Sequence, residues 1–438
     1  MTASVPKTLR VAVVGCLHGE LDAVYRTIEY ADAQCGRNTD LVLICGDFQA
    51  SRDQRDLSSM AVATFYRRFG DYKDYYEGHK RAPILSIFVG GNHEASTHLW
   101  DLYHGGWIAP NIYYMGTTGV VTYRGLRICG VSGIAKAYDY AHGYACPPPD
   151  PTMEPQRYEK WCRSVYHLRD YEFFRLASLR CSGEDAKRMD VVLSHDWPAG
   201  IAREGDTETL YRCKRDFRAE ADSIGSPQLR GLMGRMQPRY WFAGHHHIKH
   251  AVLVRHPTGT ETRFLALSKV LPGYDFMQFV EIPVGDAEDD GELRYDLEWL
   301  HSVHATAPLF PVGEYNSFKF PQADTLASNA FAMKAGDVLE TDNTVLSELL
   351  KVPPCSTISG LIVDPPAEQK QRFFSLLVRL FGPFQLQQQQ ISDVVSSPPT
   401  TATATIAAAA VPATETTVTT TTTQEGAVEN PEEIPLDC

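Results

Sequence analysis

Arg10-Val11-Ala12-Val13-Val14-Gly15-Cys16-Leu17-His18 opens as an almost unbroken apolar run and ends on a glycine turn with two side chains able to bind metal. The same construction recurs downstream. Leu41–Cys45 leads into Gly46-Asp47, and Ile84–Val89 into Gly90-Gly91-Asn92-His93-Glu94. Val191–Ser194 leads into His195-Asp196, and Tyr240–Ala243 into Gly244-His245-His246-His247. Short β-branched runs alternating with amphipathic stretches make an α/β pattern. In such sheets ligand sites gather at the carboxyl ends of strands, so these strand ends point to one shared site.

Outward from these runs, further strands are predicted over Arg127–Val131, Thr262–Ala266 and Gln278–Ile282. Helices are predicted over Leu21–Ala33 and Arg163–Leu179. The stretch Lys136–Trp161 holds Gly143, Cys146, the run Pro147-Pro148-Pro149 and Pro151, so it reads as a long loop without regular structure. The first domain spans 8–300. A smaller accessory domain is predicted over 301–386, where Gln369–Phe381 suits an amphipathic helix ended by Gly382-Pro383. From 387 to 438 the chain turns to Gln, Thr, Ala, Val and Pro, a composition that buries too little apolar surface to offset ordering, and it reads as a disordered tail.

The 41 Lys+Arg and 54 Asp+Glu leave a net charge of -13, unevenly spread. Residues 1–280 hold 34 basic and 31 acidic side chains, +3, and the rest hold 7 and 23, -16. The first part can therefore present a basic face to a polyanion. Ten cysteines form no CxxC pair or compact framework. Val11–Val14 is far too short for a secretory h-region and no apolar stretch reaches a membrane span, so a reducing compartment, cytosol or nucleus, is expected.

His nitrogens with Asp and Asn oxygens suit first-row metals such as Fe, Mn and Zn better than Mg or Ca. One Asp bridging two ions is a common design for phosphoryl chemistry. The arrangement resembles the calcineurin-like metallophosphoesterases, whose pattern runs DxH, GDxx, GNHE or GNHD, a lone His, then GHxH. That resemblance implies a β-sandwich flanked by helices. It gives one metal His18, Asp47 and His247, and a second Asp47, Asn92, His195 and His245. His93 would protonate the leaving oxygen.

The resemblance narrows further. Gly15–Glu20, Cys45–Ala50, Gly90–Ser96, Gly105-Gly106-Trp107-Ile108-Ala109-Pro110-Asn111-Ile112-Tyr113-Tyr114 and Ser194–Pro198 are similar to the RNA lariat debranching enzymes. This implies metal-dependent hydrolysis of the 2′–5′ phosphodiester at the branch point of excised intron lariat RNA, giving linear RNA for turnover. It also implies a monomer in the nucleus, with cytoplasm as a second location. The segment 136–161 becomes a lariat-recognition loop, with His142, Tyr144, Tyr166, His167 and Arg169 as RNA contacts. Rival readings are another metallophosphoesterase, acting on phosphoproteins or cyclic nucleotides, and an inactive scaffold of the same fold.

Cys16 stands where most of the wider class carries Asp. As a thiolate it favours Zn or Fe(II); as an inert side chain it leaves the first site weak or empty, so one or two ions are both open. Glu94 and Asp196 read either as groups orienting the ligands or as helix caps. Trp107, Tyr113 and Tyr114 read as loop packing or as base-stacking surfaces. His246 alternates with its neighbours and is expected to face outward.

Overall fold

In Thr8–Val14 (β1) alternate side chains reach two different cores. Val11 and Val13 face a second sheet, whereas Ala12 and Val14 join Leu21, Val24 and Ile28 of helix Leu21–Cys35. Leu41–Ile44 (β2) and Ser86–Phe88 (β3) divide the same way, which is why these strands carry no polar alternation. The structure, a computed structural model, describes residues 7–179, 188–285, 290–320, 343–355, 357–358, 361–362 and 365–381. The expected disordered tail lies outside them.

Further strands are Gly106–Ala109 (β4), Ile112–Tyr114 (β5), Thr118–Tyr123 (β6), Leu126–Val131 (β7), Val191–Ser194 (β8), Tyr240–Ala243 (β9), His250–Arg255 (β10), Glu261–Ala266 (β11), Met277–Pro283 (β12) and Leu293–Tyr295 (β13). They form a six-stranded sheet, β12-β1-β2-β3-β5-β4, and a seven-stranded sheet, β10-β11-β9-β8-β7-β6-β13. Each sheet has parallel central strands and antiparallel edges. The inner faces share one core, and helices cover the outer faces. This is the helix-flanked sandwich expected. Parallel centres bring the carboxyl ends of β1, β2 and β3 to one side, and β8 and β9 likewise.

Three local expectations change. The single helix expected over Arg163–Leu179 is two, Pro155–Ser164 and Asp170–Ala177. Between them Tyr166 and Leu168 pair with Ile134, and the Arg169 guanidinium takes the Ser164 carbonyl that helix would otherwise use. The supposed irregular loop contains helix Ala137–Tyr140 and ends early because Pro155 starts a helix, where its missing N–H costs nothing. Trp107, Tyr113 and Tyr114 lie in the hairpin β4–β5, turned at Asn111 with φ +64°. Tyr113 and Tyr114 are buried, which withdraws them as base-stacking surfaces.

Helix Leu297–Thr306 and helix Pro366–Phe381 pack onto the same core through Trp299, Leu300, Phe373 and Leu377. Gln369 donates to the Trp107 carbonyl and accepts its N–H, at 2.9 and 2.8 Å, standing in for a neighbouring strand at the β4 edge. Cysteines among the described residues are free thiols, and none of the helices there is long and apolar enough to cross a membrane.

Candidate metal centre

The strand-end loops are knitted before any side chain is considered. Leu17 N–H donates to Gly46 O at 3.1 Å and His18 N–H to Asp47 O at 2.7 Å, while Gly244 N–H donates to His195 O at 3.1 Å. His18, Asp47, His245 and His247 all take the left-handed backbone region, with φ +48°, +48°, +66° and +53°. For residues other than glycine that is strain of about 1–3 kcal/mol each, a cost that concentrates at functional sites. Gly91 is required by packing, since a Cβ there would lie 2.1 Å from Asp47 Oδ1.

Asp47 faces two ways. Its Oδ2 lies 3.5 Å from His18 Nε2, and its Oδ1 lies 3.4 Å from His195 Nε2 and accepts the His93 N–H at 2.9 Å. On one side, donor atoms of Cys16, His18, Asp47 and His247 lie within 4.8 Å of one another. His18 Nε2 and His247 Nε2 are 3.0 Å apart. On the other side, His195 Nδ1 is 2.8 Å from Cys45 O, which puts a hydrogen on Nδ1 and turns Nε2 into the centre. Nε2 sits 3.1 Å from Asn92 Oδ1, with the His245 ring 5.0 Å from the His195 ring. An imidazole nitrogen with amide and carboxylate oxygens is a donor set that suits a first-row divalent cation.

Burial sets the protonation states. It lowers His18 to about 4 and, with the His18 charge added, His247 to about 2, and it takes His245 well below its ordinary value. These imidazoles are neutral and offer lone pairs. Burial would raise Asp47, but at the low pH where a carboxylate takes up its proton the rings of His195, His93 and His18 are cationic, and they hold Asp47 well below the usual range. Cys16 is pushed up by burial and then by Asp47, against a 3.0 Å N–H from His245 that eases it.

The carboxylates left open above resolve into clamps. Glu94 accepts from Phe48 and Gly91 through Oε1 and from Gln49 through Oε2, tying the loop of Asp47 to the loop of Asn92. Burial, then Asp47, raises it to about 8. Asp196 accepts from Ala135 and Trp197 and joins the His195 loop to the root of the 136–161 segment. His246 is corrected: it is buried, edge-on to Trp197 and Phe217, with Asp196 Oδ1 4.0 Å from its Nε2.

Of the five expected RNA contacts, three turn inward. Tyr144 is buried and donates to Glu172 Oε1 at 2.9 Å. Arg169 is buried over the Tyr144 ring, bonded to Ser164 and the His167 carbonyl. His167 is buried with Nδ1 2.5 Å from Asp139 Oδ2. A surface role is replaced by holding the loop to its base. His142 stacks on Tyr138, and both His142 and Tyr166 are half-buried. Sequence reasoning missed Gln49, whose Nε2 lies 3.3 Å from His18 Nδ1; the only signal was its place two residues past Asp47.

The chain matches the calcineurin-like phosphoesterase family over residues 9–249 and the lariat debranching enzyme C-terminal domain over 259–353. Such a phosphoesterase domain implies use of a divalent metal. The lariat debranching enzyme of Mus musculus is 41% identical over 374 residues, covering 83% of this chain and 65% of that one. That of Homo sapiens is 40% identical, with 83% and 65% covered. That of Arabidopsis thaliana is 38% identical over 389 residues, covering 88% of this chain and 89% of the relative. The chain thus spans just under two thirds of the length of the first two. A match this extensive, through both the phosphoesterase and the C-terminal segments, means that the chain belongs to the lariat debranching enzyme family.

Proposed function

We propose that the protein hydrolyses the 2′–5′ phosphodiester of branched RNA, using Asp47, Asn92, His195 and His245 to hold one essential metal ion. The observation that carries this is His195 Nε2 lying 3.1 Å from Asn92 Oδ1 and 3.4 Å from Asp47 Oδ1, the atom that also accepts the His93 N–H. His18, Asp47, His247 and Cys16 would hold a second ion. Fe(II), Zn(II) and Mn(II) all suit the nitrogen and oxygen donors, and a Cys16 thiolate would favour the first two. A bound ion would neutralise phosphate charge and lower the pKa of a water.

The chain's own groups do the rest. Cys45 O orients His195, and Glu94 keeps Asp47 and Asn92 in register. His93 is anchored by its backbone on Asp47 while its ring stays partly exposed, 5.4 Å from the His18 ring. It would donate a proton to the departing 2′-oxygen, leaving a free 2′-hydroxyl and a 5′-phosphate. A monomer in the nucleus fits that substrate. The relatives named lariat debranching enzymes support RNA over phosphoproteins or cyclic nucleotides.

The test is a synthetic 2′–5′ branched RNA analysed by gel mobility. Cleavage at the branch, abolished by chelation and restored by Fe(II), Mn(II) or Zn(II), is expected. An intact branch alongside turnover of phosphopeptides would reverse the assignment.

A further inference from the structure

A cavity of about 390 Å³ opens beside His18 and is lined by Gln49, Arg68, Phe69 and Lys73. The chain supplying Phe69 reads Phe65-Tyr66-Arg67-Arg68-Phe69, aromatic and basic side chains interleaved. Its three aromatics are exposed, Phe65 at 76%, Tyr66 at 36% and Phe69 at 41%, so packing does not explain them. Phe65 and Tyr66 rings lie 4.0 Å apart, and Lys73 Nζ lies 5.4 Å from the Phe69 ring. The segment is fixed to the metal loop. Asp71 N–H donates to Gly19 O at 2.9 Å, and a Cβ on Gly70 would lie 2.6 Å from Gly19 Cα. Phe69 is therefore held one residue from a backbone contact with the neighbour of His18.

The acids lining the same cavity are engaged. Asp71 accepts the Asp22 N–H at 2.8 Å, Asp74 pairs with Lys80 at 2.8 Å, and Glu20 lies 3.8 Å from Arg68. What remains on offer is the exposed Phe69 face, with Arg68 near Glu20 and Lys73 paired to Glu77 beside it. An exposed aromatic face is what holds single-stranded nucleic acid by base stacking. A branch point sends out three RNA arms, and the 136–161 segment is on another part of the chain.

We propose that Phe69, flanked by Arg68 and Lys73, is a base-stacking subsite for the nucleotide of one RNA arm next to the scissile phosphate, on the His18 side of the centre. This rests on the branched-RNA reading above. The subsite lets a base seat itself at a fixed distance from the metal donors, so the arm positions the phosphate.

Phe69→Ala and Phe69→Trp, compared with the wild type on branched RNA and on bis(p-nitrophenyl) phosphate, test it. F69A should raise KM for branched RNA by roughly 10-fold, within the range that loss of one stacked base gives. The loss on the small diester should be smaller, and F69W should recover most of the RNA loss. Branched RNA made abasic next to the branch, one arm at a time, should reproduce the KM rise for one arm, with little further rise in F69A. An F69A enzyme within twofold of wild type on branched RNA overturns the subsite, as does equal loss on both substrates. A wild-type protein that turns over the small diester but no branched RNA removes the underlying function as well, which separates the two failures.

Discussion

Glu94→Gln should weaken the metal centre without removing a donor. The carboxylate accepts three buried N–H groups, from Phe48 at 2.7 Å, Gly91 at 3.1 Å and Gln49 at 2.8 Å. Glutamine has one oxygen to offer. With that oxygen at the Phe48 and Gly91 amides, its NH2 confronts the Gln49 N–H donor to donor. One hydrogen bond to a charged acceptor is lost, about 1.5–3 kcal/mol, and the loss overlaps with the cost of the orphaned donor. The lower part of that range applies, because burial and Asp47 lift Glu94 to about 8, and a partly protonated carboxyl already gives up some acceptor capacity. About 2 kcal/mol is the result, or roughly 30-fold in affinity at 1.4 kcal/mol per tenfold. That sits within the ~10–100-fold typical of losing a group that orients metal ligands. Titrating chelated protein with metal against a competing chelator reads the shift directly, and turnover should return at saturating metal. Metal affinity within twofold of wild type would refute the clamp. So would a loss of turnover that no metal concentration restores, since that would give Glu94 a direct part in the chemistry.

His93→Ala should keep metal content and branched-RNA binding while kcat falls by ~10²–10⁴, the worth of a general acid; equal loss of metal would instead make His93 a ligand. His195→Ala should lose the ion at Asp47 and Asn92, read by elemental analysis; full metal occupancy would contradict the convergence seen there. Cys16→Asp should add a harder donor facing His18, Asp47 and His247 and raise metal stoichiometry toward two with activity kept; unchanged stoichiometry would mean that the thiol does not govern that half. Arg127→Met should lower stability by ~3 kcal/mol, the low end for breaking a buried ion pair, because it removes the guanidinium 2.8 Å from Asp296 and from Glu298 while Asp296 keeps the Trp299 N–H. Urea denaturation measures this, and a change below 1 kcal/mol would show the pair to be expendable.

The strand ends were legible because each carries its own signal, an apolar run and a donor at the turn. The directions of side chains were less so. His246 was expected to face out because alternation holds along a strand, yet His245 and His247 lie in a turn at φ +66° and +53°, where alternation no longer sets the ring directions. Glu94 and Asp196 stayed ambiguous in the sequence because most of the amides they hold lie 45–61 residues away along the chain. Tyr144 and Arg169 read as RNA contacts only through the family resemblance. Their burial follows from Glu172, a buried carboxylate raised by desolvation, for which the Tyr103 and Tyr144 hydroxyls and the nearby Arg175 and Arg169 compensate. No local pattern announces such a network. The Phe65–Phe69 run was overlooked for the opposite reason, since it follows no strand and gains meaning only from Gly70 lying against Gly19.

The strained backbone bears on how the two halves of the centre differ. Four donors are held in left-handed conformations by hydrogen bonds between loops and by a glycine contact, so the protein itself fixes where their lone pairs point. In the half built from Asp47, Asn92 and His195, the Nδ1 contact with Cys45 O turns Nε2 inward toward Asn92 Oδ1 and Asp47 Oδ1. A cation there would be held by His195, Asn92 and Asp47 together, with the His93 N–H already on Asp47 Oδ1. In the other half, Cys16 Sγ already receives the His245 N–H, and His18 and His247 can share one proton across 3.0 Å. That half can satisfy itself without an ion. The asymmetry therefore lies in the hydrogen bonding around each donor as much as in the replacement of a carboxylate by a thiol.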